Sequence, residues 1–193
     1  MPKRGKLIAI EGGGSPAMEL ASKQLLRVLK KTDRNTGVSA WDASGVFYDL
    51  LQGDRMLPGA SPQVLMMLYA SDLAFRLRWQ IEPALESGQT VVANCYVETA
   101  MSFGRATGLS RPWLANLFDF CPRPGKVYRA PEESLAFNRR GQPANSFLEA
   151  CFLQLRRSSG MWQTDEIRKI FFDHLRQMET RGKCELLIKR SLD

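Results

Sequence analysis

The sequence predicts one three-layer α/β/α domain around a central five-stranded, mostly parallel sheet. Three observations carry that expectation. Short apolar runs alternate with longer stretches of helical period, which is the pattern of parallel strands joined by crossover helices. A glycine-rich turn follows the first apolar run at once. The 193 residues show no repeat, low-complexity tract or linker, so residues 1–193 read as a single domain able to bury its own core.

The elements follow in order. Lys6 to Glu11 (KLIAIE) is a buried first strand. Ala17 to Lys31 is a helix, with Leu20, Leu25, Val28 and Leu29 near one face. Thr36 to Trp41 is a second strand, and Asp42 N-caps a helix through Gln52 that Gly53 ends. Ser61-Pro62 opens a long apolar helix that runs to Ser87, with Pro83 kinking or breaking it. Gln89 to Asn94 is a third strand, followed by helices near Tyr96 to Thr107 and Pro112 to Phe120. Lys126 to Arg129 is a fourth strand, and Pro131 opens another helix. Residues 139–146 read as a polar loop or short lid. Thr164 caps a helix over Asp165 to Thr180, and Cys184 to Lys189 is the fifth strand.

Composition narrows the function classes. No apolar run approaches the ~20 residues of a membrane span, and the short apolar stretch after the N-terminus is too brief for a secretion signal. A cytoplasmic protein is the expectation. Cys95, Cys121, Cys151, Cys184 and the only histidine, His174, are scattered, which argues against a zinc site. The net charge of +7 attracts polyanions, whether nucleotides, nucleic acid or acidic protein surfaces. No nucleic-acid-binding motif sharpens that reading.

In parallel sheets ligands sit beyond the carboxyl ends of the strands. That places the Gly12-Gly13-Gly14-Ser15 turn, the loop after Trp41 and the Asn94-Cys95-Tyr96 turn around one cleft. Strand, glycine turn and helix together describe a phosphate loop, whose working form reads GxxxxGK[ST]. Counted from Gly12, the second glycine, the lysine and the hydroxyl fall on Ala17, Met18 and Glu19. A thioether carries no charge for a phosphate, and Pro16 removes a backbone N–H from the cradle. Glu19 places a negative charge in the first helical turn, where it can stand in for the missing anion.

Further along, LYASDLAFRLRWQIEPALESGQTVVANCY resembles the thymidylate kinase family. The matching pieces are Tyr69-Ala70-Ser71-Asp72-Leu73, Pro83-Ala84-Leu85-Glu86-Ser87-Gly88 and Asn94-Cys95-Tyr96. The resemblance runs from about Lys6 to Arg140. It implies a phosphate-loop kinase fold with five parallel strands, a lid, a nucleoside monophosphate pocket and often a homodimer. Tyr69 takes the place of the aromatic that stacks on the base, and Leu73 that of an arginine that hydrogen-bonds it. Asn94 and Cys95 replace the Asp-Arg pair beside the transferred phosphate. Arg139 and Arg140 are the remaining candidate phosphate clamps.

The functional expectation is therefore a non-catalytic member of that family, a binding or regulatory module. It needs no cofactor, and its expected partner is a second copy of itself or another protein. A nucleotide or other anion is the expected small ligand. The alternatives are a divergent kinase using ATP and magnesium on dTMP or a similar nucleotide, and a basic nucleic-acid-associated module. Glu98, behind the third strand, is a candidate acid or base with no partner that sequence identifies; a solvated helix position is its plainer reading. Apolar residues from Val64 to Trp79 cover more than one face of the long helix, which points to a dimer contact.

Overall fold

The computed structural model describes residues 4–14, 16–32, 35–52, 59–129, 146–159 and 162–179. Within them four strands form one parallel sheet: β1 (Leu7–Glu11), β2 (Thr36–Ala40), β3 (Thr90–Asn94) and β4 (Lys126–Arg129), in the order β2-β3-β1-β4. The expected fifth strand at 184–189, the helix expected at Pro131, and all of the expected lid except Ser146 lie outside the described residues.

Every residue of the two central strands, β1 and β3, is buried. Strands covered on both faces read as continuous apolar runs, which is why LIAIE and TVVAN were recognisable. α1 (Pro16–Thr32) packs on β2 and β3, and α5 (Val97–Ala106) lies against β1, α3 and α8. α2 (Val46–Gln52), α3 (Pro62–Arg76), α4 (Glu82–Glu86), α6 (Arg111–Leu117), α7 (Phe147–Ser159) and α8 (Thr164–Glu179) complete the helical layers.

Two local solutions matter for the site. Ser61 caps α3 by accepting the Val64 N–H, with Pro62 in the first turn, as expected. Pro83 does not end the helical run. The chain widens into a π-turn over Leu77–Ile81, where the Glu82 N–H reaches back to the Leu77 carbonyl, and α4 then carries the proline in its first turn. α7 has no counterpart among the expected elements. Its Ser146 hydroxyl accepts the Glu149 N–H, so a capping bond opens the helix.

Candidate functional site

The glycine turn leaves β1 at Glu11 and enters α1 at Pro16. Gly12, Gly13 and Gly14 are all buried. Gly14 has φ 72°, a left-handed conformation that glycine adopts without strain. Its N–H donates to the Met18 thioether at 3.1 Å, and Met18 is almost wholly buried. The side chain that stands where a phosphate-binding lysine would be turns inward and occupies an N–H of the loop. Glu19 does not act as the stand-in anion expected from sequence. It points to solvent and pairs with Lys23 one turn on.

The loop is closed from its other side by α7. The Leu148 N–H donates to the Gly13 carbonyl at 3.1 Å. A Cβ added at Gly14 would lie 2.8 Å from the Phe147 nitrogen and 2.9 Å from its Cβ, so glycine is needed for this approach. The Phe147 ring, fully buried, sits at edge-on distances of 4.9–6.1 Å from Tyr69, Phe103, Trp41 and Phe47. Such pairs add about 0.5–1.5 kcal/mol each beyond their burial.

A polar floor lies beneath these rings. Arg76, fully buried, donates to the Ser39 hydroxyl, the Ser39 carbonyl and the Cys95 carbonyl at 2.8–2.9 Å, with Asp72 at 3.9 Å. Asp72 in turn fixes the loop after β2. Its carboxylate accepts the N–H groups of Asp42 and Ser44 and the Ser44 hydroxyl. Asp42, at φ 57°, folds back to accept the Phe47 and Tyr48 N–H groups at the start of α2. Burial pushes the Asp42 carboxyl above its usual range despite those donors. Burial also pushes the Cys95 thiol up to about 12, so it is neither a thiolate nor a nucleophile at neutral pH.

Glu11 is enclosed at the end of β1. It accepts the N–H groups of Tyr96, Glu98 and Thr99 and the Thr99 hydroxyl. Glu98 is not a solvated position. Arg129 donates to both of its oxygens at 2.8 Å from the end of β4.

Of the site residues expected from sequence, Gly14 and Tyr69 meet at Phe147, while Gly13 bonds to the neighbouring Leu148 and Gly12 to Thr99. Tyr69 is fully buried and donates its hydroxyl to the Tyr96 carbonyl at 2.9 Å. Ser15, Arg139 and Arg140 lie outside the described residues. Sequence reasoning missed Phe147, Leu148 and Arg129. The available signal for the first two was the Ser-x-x-Glu spacing of Ser146 and Glu149 before an apolar run. Among the described residues no group of three His, Cys, Asp or Glu side chains could hold a metal. No described helix is long and apolar enough to cross a membrane.

A glycine turn between the first strand and first helix of a parallel sheet, at the carboxyl ends of the strands, is where α/β folds of this kind hold phosphate groups. A solved thymidylate kinase from Ehrlichia chaffeensis superposes on 95% of this chain and 88% of its own, with TM-score 0.66 and 12% identity, which establishes the fold. No family model matches the sequence. A probable thymidylate kinase of Thermococcus gammatolerans is 38% identical over 132 residues, 64% of each chain. One of Pyrobaculum aerophilum is 26% identical over 126 residues, covering 61% of this chain and 59% of that protein. One of Pyrococcus abyssi is 38% identical over 75 residues, 39% of this chain and 35% of that protein. The chain spans less than two thirds of the length of these relatives. Its sequence is thus similar to probable thymidylate kinases over part of its length, and its fold is that of a solved thymidylate kinase.

Proposed function

We propose that this chain is a thymidylate-kinase-like protein that works by binding a protein partner, a second copy included, and not by phosphoryl transfer. The observation that carries the proposal is the Met18 thioether on the Gly14 N–H, with Phe147 and Leu148 closing the loop from outside. Phosphoryl transfer rests on positioned charge around the phosphates. Here the loop's N–H is already taken, and the chain has Met18 where the lysine belongs. The loop as it stands does not fit a magnesium-bound triphosphate.

The outer face of α3 supports the binding half of the reading. Val64, Met67 and Phe75 are exposed, as is Trp79 in the following π-turn. The only charged residues between 63 and 77, Asp72 and Arg76, are both buried. Beyond that stretch exposed Arg78 carries its guanidinium 5.5 Å from the centre of the Trp79 ring, so what a second copy would meet is an apolar patch with one cation beside Trp79.

A second reading, ATP-dependent phosphorylation of dTMP or a similar nucleotide, is favoured by the relatives, which are named as probable thymidylate kinases. It requires Met18 and Phe147 to leave the loop. A coupled kinase assay with dTMP, together with calorimetry against Mg-ATP, separates the two. The binding reading expects no heat of binding and no turnover. Turnover above ~1 s⁻¹, the low end for kinases, contradicts it.

A further inference from the structure

The most unusual buried group outside the plugged loop is Glu11, whose surroundings are nearly all donors. It is wholly buried, and four hydrogen bonds converge on its two oxygens. The hydroxyl among those donors, that of Thr99, touches more than Glu11. Its oxygen lies 2.6 Å from Glu11 Oε2, accepts the Gly12 N–H at 3.1 Å, and lies 3.3 Å from the Gly12 carbonyl oxygen. The single hydroxyl proton thus has two acceptors within reach, the carboxylate and the first carbonyl of the glycine turn.

We propose that Glu11 and Thr99 form a two-state proton switch that sets the hydrogen bonding of Gly12, the first residue of the glycine turn. With Glu11 ionised, the Thr99 hydroxyl donates to Glu11, and Thr99 only accepts from Gly12. With one proton taken from solvent onto Glu11, the new carboxylic O–H donates to the Thr99 oxygen. The Thr99 proton then turns to the Gly12 carbonyl. The Gly12 N–H keeps the second lone pair of the Thr99 oxygen throughout; one proton enters, and the Tyr96 and Thr99 N–H groups, which also donate to Glu11 Oε2, are left with a weaker acceptor in the protonated state.

The groups facing Glu11 leave it as the titrating member. Burial, then the negative charge of Glu98, raise its carboxyl to about 7, against the opposing pull of its donors. Glu98 is itself held by Arg129, the residue opposite Glu11 on β4. Burial raises the thiols of Cys95 and Cys121 to about 12 and pushes the phenols of Tyr69 and Tyr96 further up, so all four stay neutral. Arg76 reaches the neighbouring Cys95 carbonyl. Both states of Glu11 are therefore populated near neutral pH.

Amide nitrogen–proton spectra of the whole labelled chain, followed between about pH 5 and 8, test the switch. The amides of Gly12, Tyr96, Glu98 and Thr99 should move along one curve with a midpoint near 7. Glu11→Gln should remove that curve from all four. Thr99→Val should remove it from Gly12 while Tyr96 and Glu98 still titrate, and Thr99→Ser should restore it. His174→Gln should leave it in place, since the only histidine is not part of the device. A flat Gly12 amide in the unaltered protein overturns the proposal. So does a Gly12 curve that survives Thr99→Val, or one that vanishes in His174→Gln. Should Thr99→Val not fold, coincidence of the Gly12 and Tyr96 curves and their joint loss in Glu11→Gln decide the matter.

Discussion

The glycine turn and the outer face of α3 are opposites. The turn occupies the place where this fold takes charged ligands, yet thioether, leucine and aromatic side chains fill it. The α3 face is where a monomer should meet water, yet it shows Val64, Met67, Phe75 and Trp79 to solvent. Apolar groups have closed the cleft and uncovered the surface. If the protein binds through α3, the closed cleft has become part of the scaffold that holds α3 straight. Large effects on stability should then come from the cleft and large effects on association from the face.

The largest stability effect is expected at Phe147. Its ring meets four others, so Phe147→Ala should lower unfolding free energy by about 3–5 kcal/mol in chemical denaturation. A loss below about 1 kcal/mol would mean that the ring is not part of the packed core.

Glu11 gives the next effect, read through pH. Its folded-state value, about 7, lies above the ordinary 4.5, so the folded protein binds the proton more tightly than the unfolded chain. The stability it contributes is present below about pH 4.5 and is lost as pH rises through about 7, by on the order of 3 kcal/mol at most. His174 acts the other way. Burial lowers its value below 6.5, so its contribution is lost as pH falls. Denaturation of His174→Gln across this range should show stability declining with pH, and adding Glu11→Gln should flatten the decline.

The smallest stability effect is expected on the face. Trp79 is 66% exposed, so Trp79→Ser should change folding free energy by no more than about 0.5 kcal/mol. In light scattering at micromolar concentration the unaltered chain should run at twice its 21.8 kDa mass, and Trp79→Ser with Phe75→Ser should run as the monomer. An unaltered chain that is already monomeric would remove the face from the proposal and leave the cleft to explain alone.

The sheet was legible because burial on both sides forces strand residues to be apolar, and Gly12 to Gly14 mark a turn that few other residues can make. The missing lysine was legible for the same local reason. What replaces it was not. Glu19 looked like the substitute by its charge, whereas the loop accepted the neutral Met18, a choice made by packing. Phe147 was hidden because its contacts with Gly14 and Tyr69 join distant parts of the chain, and because the polar residues before it favoured a loop over the capping bond of Ser146. The partner of Glu98 was hidden because only the β1–β4 register brings Arg129 to it.

The most direct measurement follows the backbone amides of Gly13 and Gly14 while Mg-ATP, and separately dTMP, is added to the labelled protein. With Met18 on the Gly14 N–H and α7 over Gly13, neither amide should move up to ~1 mM nucleotide, the upper end of ordinary substrate affinities. A saturable shift of the Gly14 amide, with release of the Phe147 ring from its aromatic neighbours, would contradict the plugged loop and favour the kinase reading.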